Sequence, residues 1–266
     1  MSSKLKFGIG LYSFKTAHSF IKKHNLWRFI IIPGILNAIL FYLSFIWFLD
    51  GVSGWVSGFF DLECSDQEGF WGLLCQFVSY SSGFFEIFFK FFLYTAFIGV
   101  YLYIYKNLVL FIYSPVLAYL IEIVEEKHKG VSSPFSMGQF IKETVRGLIL
   151  ALRGLMVEGI VVFLLLLMMF VPIINLVQPL LMWLVGAYFL GVSMIDYSLE
   201  RKGYNIRESI NYSKKHKSLA IGIGSVSQLV FIVPFVGWMI APTYTAVAAY
   251  FAVDKLDKLD KLEVNE

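Results

Sequence analysis

The chain has 266 residues, of which 58% are hydrophobic and 15% are charged, and its mean hydropathy is +0.71. Soluble domains are about 45–50% apolar and about 25% charged, so this composition indicates an integral membrane protein. The formal net charge of +3 is small and no basic stripe interleaves with aromatic residues, which excludes a nucleic-acid-binding protein.

Basic residues are absent from one long stretch of the chain. No Lys or Arg lies within residues 29–89, and all 22 basic residues lie outside that window. Short loops that face away from the cytoplasm are depleted of Lys and Arg. The first loop is therefore predicted to be extracytoplasmic, and an even number of crossings then places both termini in the cytoplasm.

The first third of the chain predicts a surface helix, a span and an outer loop. Residues 5–24 place apolar side chains at helical spacing with lysines elsewhere, which indicates an amphipathic helix on the cytoplasmic leaflet. Residues 27–49 approach the roughly 20 residues that cross a bilayer. Loop 50–82 contains both cysteines, Cys64 and Cys75. Outside the cytoplasm a disulfide between them is permitted, and two unpaired thiols are the alternative.

Three more apolar segments follow. Residues 84–105 predict a second span. The blocks 155–195 and 219–253 are each interrupted by paired prolines, and their arms of roughly 11–16 residues are short for a crossing. Each block is either two tight full spans or a hairpin that enters and leaves on one side; the short arms and uncharged turns favour the hairpin. Residues 254–266 predict a solvated cytoplasmic tail.

Cationic residues at the predicted membrane boundaries are candidate anion ligands. Lys142, Arg146 and Arg153 lie close to one helical stripe, and Arg28 lies where the first span begins. A helix amino terminus exposes unpaired N–H groups and a partial positive charge, so an Arg there suits an anion. The alternative is that all four anchor the protein to lipid phosphate. Glu158 would be costly in lipid and is predicted to turn inward.

Motifs for catalysis or metal binding are scarce. The four histidines lack the spacing of a metal site, and no Ser-His-Asp set or catalytic carboxylate pair is present. We therefore expect no enzyme activity, no metal and no cofactor. Gly222 and Gly224 resemble a phosphate loop only superficially and are predicted to permit close helix packing.

Three segments together resemble the CysZ-type sulfate permeases, which belong to the broader etoposide-induced-protein family. The segments are NLWRFIIIPGILN (25–37), YSPVLAYLIEIVEE (113–126) and VPFVGWMIAPTYTAVAAYFAVDK (233–255). They occur in the family's order, at similar spacing, over most of the chain. The resemblance implies an all-α inner-membrane protein with two long transmembrane helices, two half-inserted helical hairpins and homo-oligomeric assembly.

The resemblance also implies where an anion binds. In the family the first span begins with Gly-Leu-Arg-Arg, whose backbone amides and arginines bind sulfate. The matching residues here are Asn25, Leu26, Trp27 and Arg28, so Asn replaces Gly and Trp replaces the first Arg. The lost Arg removes a contact worth about 1.5–3 kcal/mol. Affinity for sulfate is then expected to be about 10- to 100-fold lower.

The predicted function is permease or channel-like movement of a small inorganic anion, sulfate first among the candidates, for sulfur assimilation. The anion would be captured at Arg28 and would pass along a polar interior between subunits. The candidates for that path are Lys142, Arg146, Arg153, Glu158 and Asn175. The alternative is a membrane scaffold or interaction protein of the same fold that transports nothing.

Overall fold

The computed structural model describes residues 2–60, 83–130, 137–168, 172–233 and 236–264. The helices in this part of the chain are α1 (Ser3–Lys23), α2 (Arg28–Phe60), α3 (Gly83–Lys129), α4 (Met137–Leu167), α5 (Pro172–Arg201), α6 (Ile206–Lys215), α7 (Lys217–Phe231) and α8 (Val236–Val264). All regular structure among the described residues is helical, which confirms the predicted all-α class. Cys64 and Cys75 lie outside the described residues, so their disulfide stays a prediction.

Apolar helices of membrane-crossing length are present, as expected for a membrane protein. Within the described residues four stretches are long and apolar enough: Arg28–Val56, Thr144–Leu165, Leu176–Arg201 and Val236–Leu262. Two shorter apolar stretches are Lys90–Leu102 and Lys217–Phe231. Composition and helix length together therefore agree with the bilayer as the solvent of this chain.

The helices extend beyond the apolar segments that the sequence marks. Helix α2 continues past predicted residues 27–49 to Phe60, and α3 continues past 84–105 to Lys129. Helix α3 passes through Pro115, because one proline removes a single backbone hydrogen bond and its neighbours keep theirs. Hydrophobicity marks the part of a helix that suits lipid, whereas backbone bonding decides where the helix ends.

The chain forms two compact units, residues 39–108 and the remainder (1–38 with 109–266). In the unit 39–108, α2 and α3 pack through aromatic rings. The ring of Tyr101 lies 4.6 Å from that of Phe48 and 5.9 Å from that of Phe41. The hydroxyls of Tyr101 and Ser44 are hydrogen-bonded at 2.8 Å, which satisfies a polar group between two apolar helices.

In the other unit α7 lies between α1 and α5, and glycines make both contacts possible. A Cβ atom added at Gly222 would lie 2.6 Å from the backbone oxygen of Phe7 on α1. One added at Gly224 would lie 1.8 Å from the backbone oxygen of Ala187 on α5. No side chain fits at either distance, so the prediction that these glycines serve helix packing is confirmed.

Helix α1 packs through one face onto α7 and α8. Its buried face includes Ile9, Ala17 and Ile21. A second apolar surface stays open, because Leu11 is 40% and Tyr12 is 62% exposed. That open surface is what a helix at the membrane interface needs, and the interfacial location of α1 stays a prediction.

Candidate anion-binding site

The turn between α1 and α2 is a Schellman motif centred on Asn25. The N–H of Leu26 donates to the carbonyl of Ile21 at 3.1 Å, and the N–H of Asn25 donates to that of Lys22 at 3.4 Å. This pattern requires a left-handed residue, and Asn25 has φ 52°. Among the described non-glycine residues only Asn25 has a positive φ. The turn after α5 has the same two bonds with Gly203 in that position.

Helix α2 begins immediately after this turn with two backbone donors unused. The N–H groups of Phe29 and Ile30 bond to the carbonyls of Leu26 and Trp27 at 3.1 and 2.9 Å. Within the described residues the N–H groups of Trp27 and Arg28 make no backbone bond. Unpaired N–H groups at a helix start, together with the helix dipole, favour an anion.

Helix α8 holds the start of α2 in place. Pro33 has no N–H, so the carbonyl of Phe29 one turn earlier lacks its usual helical partner. The hydroxyl of Thr243 on α8 donates to that carbonyl instead, at 2.8 Å. A Cβ added at Gly34 would lie 2.5 Å from the side chain of Met239, so α8 also approaches α2 closely. These contacts with α8 therefore fix the position of the backbone N–H donors near Arg28.

Positive charge collects around the turn. The side chain of Arg28 is exposed and its guanidinium lies 5.0 Å from the centre of the Phe29 ring. Burial lowers the pKa of His24, and the ammonium groups of Lys127 and Lys23 lower it further. Arg28, Lys23 and Lys127 form no ion pair with any described residue. An anion that reaches this turn therefore meets cations that form no ion pair within the described part of the chain.

Arg146, a predicted path residue, is the hub of a polar network instead. Its guanidinium donates to Asp196 at 2.8 and 3.3 Å, and it lies 3.5 Å from Glu200. It also donates to the hydroxyl of Ser209 at 2.9 Å and to the carbonyl of Tyr204. These four bonds engage all three guanidinium nitrogens, so Arg146 links α4 to α5 and α6.

The remaining path residues are dispersed. Lys142 and Arg153 are exposed, and Asn175 lies in α5 with a side chain outside the described set. Glu158 is only 5% exposed. A Cβ added at Gly186 would lie 3.6 Å from a Glu158 carboxylate oxygen and 2.3 Å from the amide nitrogen of Gln228, so both polar side chains lie beside Gly186. Among the described residues, Arg28 lies at the start of α2, Arg146 bonds to α5 and α6, and Glu158 lies beside Gly186 on α5.

Sequence reasoning missed several residues that position the site. Thr243 and Met239 lie in the third family-like segment, but no local pattern pairs them with residues more than 200 positions earlier. The start of the short helix α6 could have been predicted from the sequence, because Asn205 and Glu208 form a complete capping box. In the described residues no group of His, Cys, Asp and Glu could hold a metal ion.

Comparison with known proteins bears on the same turn. The family model described as Sulfate transporter CysZ/Etoposide-induced protein 2.4 matches residues 12–242. The chain belongs to this family. The matched range contains the Asn25 turn and Arg28 and ends one residue before Thr243.

Individual relatives in the CysZ family are distant. Two proteins from strains of Pseudomonas fluorescens, both named sulfate transporter CysZ, are 26% identical over 147 residues. Those alignments cover 53% of this chain and 58% or 56% of the relatives, so the chain spans little more than half the length of each. A sulfate transporter CysZ from Pectobacterium atrosepticum is 23% identical over 251 residues, with 92% of this chain and 85% of the relative covered.

Proposed function

We propose that this chain moves sulfate across the inner membrane and so supplies sulfur assimilation. The observation that carries the proposal is the Arg28 turn, where two unused N–H groups and an exposed guanidinium stand at a helix start. Family membership and the names of the relatives support sulfate as the first candidate. We expect no catalysis and no cofactor.

Capture of the anion follows from the chemistry of the turn. Sulfate carries two negative charges and four acceptor oxygens, so it can bond to backbone N–H groups and a guanidinium together. The turn holds the N–H groups of Trp27 and Arg28 in place, and Lys23 and Lys127 add long-range attraction. Because Trp27 supplies no second guanidinium, binding is weaker than a two-arginine site gives. Weak binding suits a conducting site, since a bound ion must also leave.

The proposed path leads from the turn toward the polar side chains of Glu158 and Gln228. Both lie beside Gly186, where the missing side chain makes room for the Gln228 amide. Lys142, Arg153 and Asn175 stay candidates for the path. Arg146 acts indirectly, by fixing α4 against α5 and α6.

We propose that both hairpins, α4 with α5 and α7 with α8, enter and leave the bilayer on one side. Helix α7 has 15 residues, about 22 Å at 1.5 Å per residue, which is short of a core about 30 Å thick. In α4 the charge-free end, residues 159–167, is only about 14 Å long. Exposed Arg153 would face lipid near mid-membrane if Thr144–Leu165 crossed completely.

We further propose multi-pass insertion with both termini in the cytoplasm and assembly as a homo-oligomer. The basic residues outside 29–89 support the orientation. Interrupted backbone at membrane depth needs cover by protein or a water-filled cavity, and neighbouring subunits would supply it. The polar interior between subunits would then carry the anion.

Uptake of radiolabelled sulfate into proteoliposomes tests the proposal. We expect uptake above that of empty vesicles for the wild type, and a loss of at least about tenfold for Arg28→Ala, because a charge-assisted contact is removed. Lys261→Ala removes an exposed charge from the tail and should keep wild-type uptake. Size-exclusion profiles and unfolding midpoints check that each variant is folded.

The alternative function is a membrane scaffold. The close glycine contacts of α7 with α1 and α5 favour it, since a rigid core serves a docking platform as well as a channel. Folded wild type that gives no uptake above empty vesicles would support the scaffold and leave the fold assignment unchanged.

A further inference from the structure

An open groove lies beside Arg28, between the first turns of α2 and the part of α3 around Pro115. Its volume is about 610 Å³. Arg28 is the one charged residue among those that line it, and the rest of the lining is apolar apart from the phenol of Tyr119. The proposed sulfate site uses only the turn at Arg28, so the sulfate function does not explain what the groove binds.

The groove is itself amphipathic along its length. At one end the guanidinium of Arg28 lies over the ring of Phe29, whose centre is 5.9 Å from that of Tyr119. At the other end the walls are apolar, with Ile32 68% exposed and Val116 from the facing helix. From Arg28 to Ile32 the helix rises about 6 Å, so several methylene groups fit beside it. A cation at one end and hydrocarbon at the other match one amphiphile with an anionic head.

Two prolines line the groove. Pro33 and Pro115 line it from α2 and α3, and neither has an N–H that another backbone group could use. The carbonyl that Pro33 leaves free accepts a hydrogen bond from Thr243, so α8 fixes the first turns of α2. The groove is therefore preformed, which lowers the cost of ordering a bound chain.

We propose that this groove binds one anionic phospholipid, with an acyl chain along Ile32 and Val116 and its phosphate on the donors at Arg28. The positive charge of the turn favours an anionic lipid over a second copy of this chain as the occupant of the groove. Arg28, Lys23 and Lys127 have no acidic partner in the described residues, so a second copy of this chain would bring like charge to like charge. An anionic lipid neutralises them and fills the apolar end as well.

The lipid phosphate and sulfate then compete for the same N–H groups and guanidinium. The competition rests on the proposed sulfate function, whereas the lipid site itself does not. Membrane composition would set how often the turn is free to capture sulfate, so the groove would act as a lipid-dependent control of the capture step.

Native mass spectrometry of delipidated, detergent-solubilised protein tests the lipid site. Phosphatidylglycerol and zwitterionic phosphatidylcholine, with matched chains, are titrated separately. We expect the first phosphatidylglycerol to bind at least about tenfold more tightly than phosphatidylcholine. Arg28→Gln should remove the preference, while Lys261→Gln, a charge change on the distant tail, should keep it.

Two variants fill the groove without touching the cation. Val116→Trp should weaken the first phosphatidylglycerol at least about tenfold, and so should Ile32→Trp, whose exposed position makes misfolding a poor explanation. Leu180→Trp, at a 61% exposed position outside the groove, is the matched control and should bind normally. Equal affinity for the two lipids, or groove variants that bind like the control, would overturn the proposal.

Sulfate binding to the same lipid-free samples separates this proposal from the proposed function. We expect Val116→Trp to bind sulfate like the wild type and to lose its inhibition by phosphatidylglycerol. Selective lipid binding in a protein that binds no sulfate would keep the lipid site and reject the transport function. Sulfate binding with no lipid preference would keep the transport function and reject the lipid site.

Discussion

Asn25 stands where the family pattern has glycine, and its φ of 52° explains why the position tolerates few residues. A left-handed backbone costs an ordinary L-residue roughly 1–2 kcal/mol, and asparagine is one of the few that adopt it readily. We expect Asn25→Gly to keep stability and sulfate binding, because glycine meets the same requirement. Asn25→Val should lower the free energy of unfolding by about 1–2 kcal/mol. Thermal unfolding in detergent measures both; a stable, sulfate-binding Asn25→Val would contradict this account of the turn.

Trp27 is the other departure at this turn, and it leaves Arg28 as the lone guanidinium there. We expect Trp27→Arg to raise sulfate affinity about 10- to 100-fold, since a charge-assisted contact contributes about 1.5–3 kcal/mol. Isothermal titration with sulfate measures the change. Trp27→Gln, a polar replacement without charge, is the control and should give no comparable gain. An unchanged affinity in Trp27→Arg would place the sulfate away from residue 27.

At the residue scale, local motifs could be predicted and long-range partners could not. The sequence indicates Arg28 by its place at a helix start, and the structure leaves it exposed and without an ion pair among the described residues. The same kind of charge argument indicates Arg146, yet Asp196, 50 positions away in the sequence, accepts hydrogen bonds from its guanidinium. Helical spacing gives the direction of a side chain and carries no information about which distant acid folds against it.

At the element scale, the glycines of α7 determine how closely three helices pack. Gly224→Ala places a Cβ about where the backbone oxygen of Ala187 already lies, at 1.8 Å, so α5 and α7 must separate. Overpacking of this kind costs typically about 1–3 kcal/mol, and we expect a matching loss in unfolding free energy. Gly8→Ala in α1 meets nothing within 4 Å and is the control, with unchanged or slightly higher stability. Equal midpoints for the two variants in thermal unfolding would rule out the close contact.

His216 joins α6 to α7 and makes the stability of that junction depend on pH. It is 2% exposed, and its Nδ1 lies 3.0 Å from the ammonium of Lys6, which donates to a neutral ring. Burial lowers the pKa of His216 and Lys6 lowers it further, although Asp260 and Asp257 oppose the shift. As pH falls through 6.5, the unfolded chain takes up a proton before the folded one does. Stability should therefore decline from pH 7 toward pH 5.5.

His216→Gln checks this origin of the pH dependence. The variant has no titrating ring at the junction, so its unfolding midpoint should change less between pH 7.5 and pH 5.5 than that of the wild type. His18→Gln replaces an exposed histidine and serves as the control. A His216→Gln slope as steep as the wild-type slope would assign the pH dependence to other groups.

The positions of the helices could be predicted from the sequence wherever a helix is also apolar. The predicted blocks 155–195 and 219–253 are the cores of the pairs α4–α5 and α7–α8, each divided near its prolines. Their full lengths could not be predicted from apolar content, because α8 continues through the charged sequence to Val264. Helix formers such as Lys, Asp and Leu extend a helix whether or not lipid surrounds it.

At the scale of the whole molecule, the side on which the hairpin tips lie distinguishes half insertion from full crossing. Single cysteines in a Cys64→Ser, Cys75→Ser background report it. Leu176 and Ile232 are suitable positions, because they are 86% and 63% exposed and lie near the two tips. Gly237 is unsuitable, since an added Cβ would lie 1.9 Å from the backbone oxygen of Val230.

We expect a membrane-impermeant maleimide added to intact cells to leave both tip cysteines unlabelled, because half-inserted tips never reach the outer face. Cys64 restored alone, in the predicted outer loop, should be labelled and proves that the reagent has access. Labelling at Leu176→Cys with none at Ile232→Cys would make α4 and α5 full spans, and Arg153 would then need a subunit or water path beside it. Labelling at both tips would replace the hairpins by four spans, with the termini still on one side because the parity is unchanged.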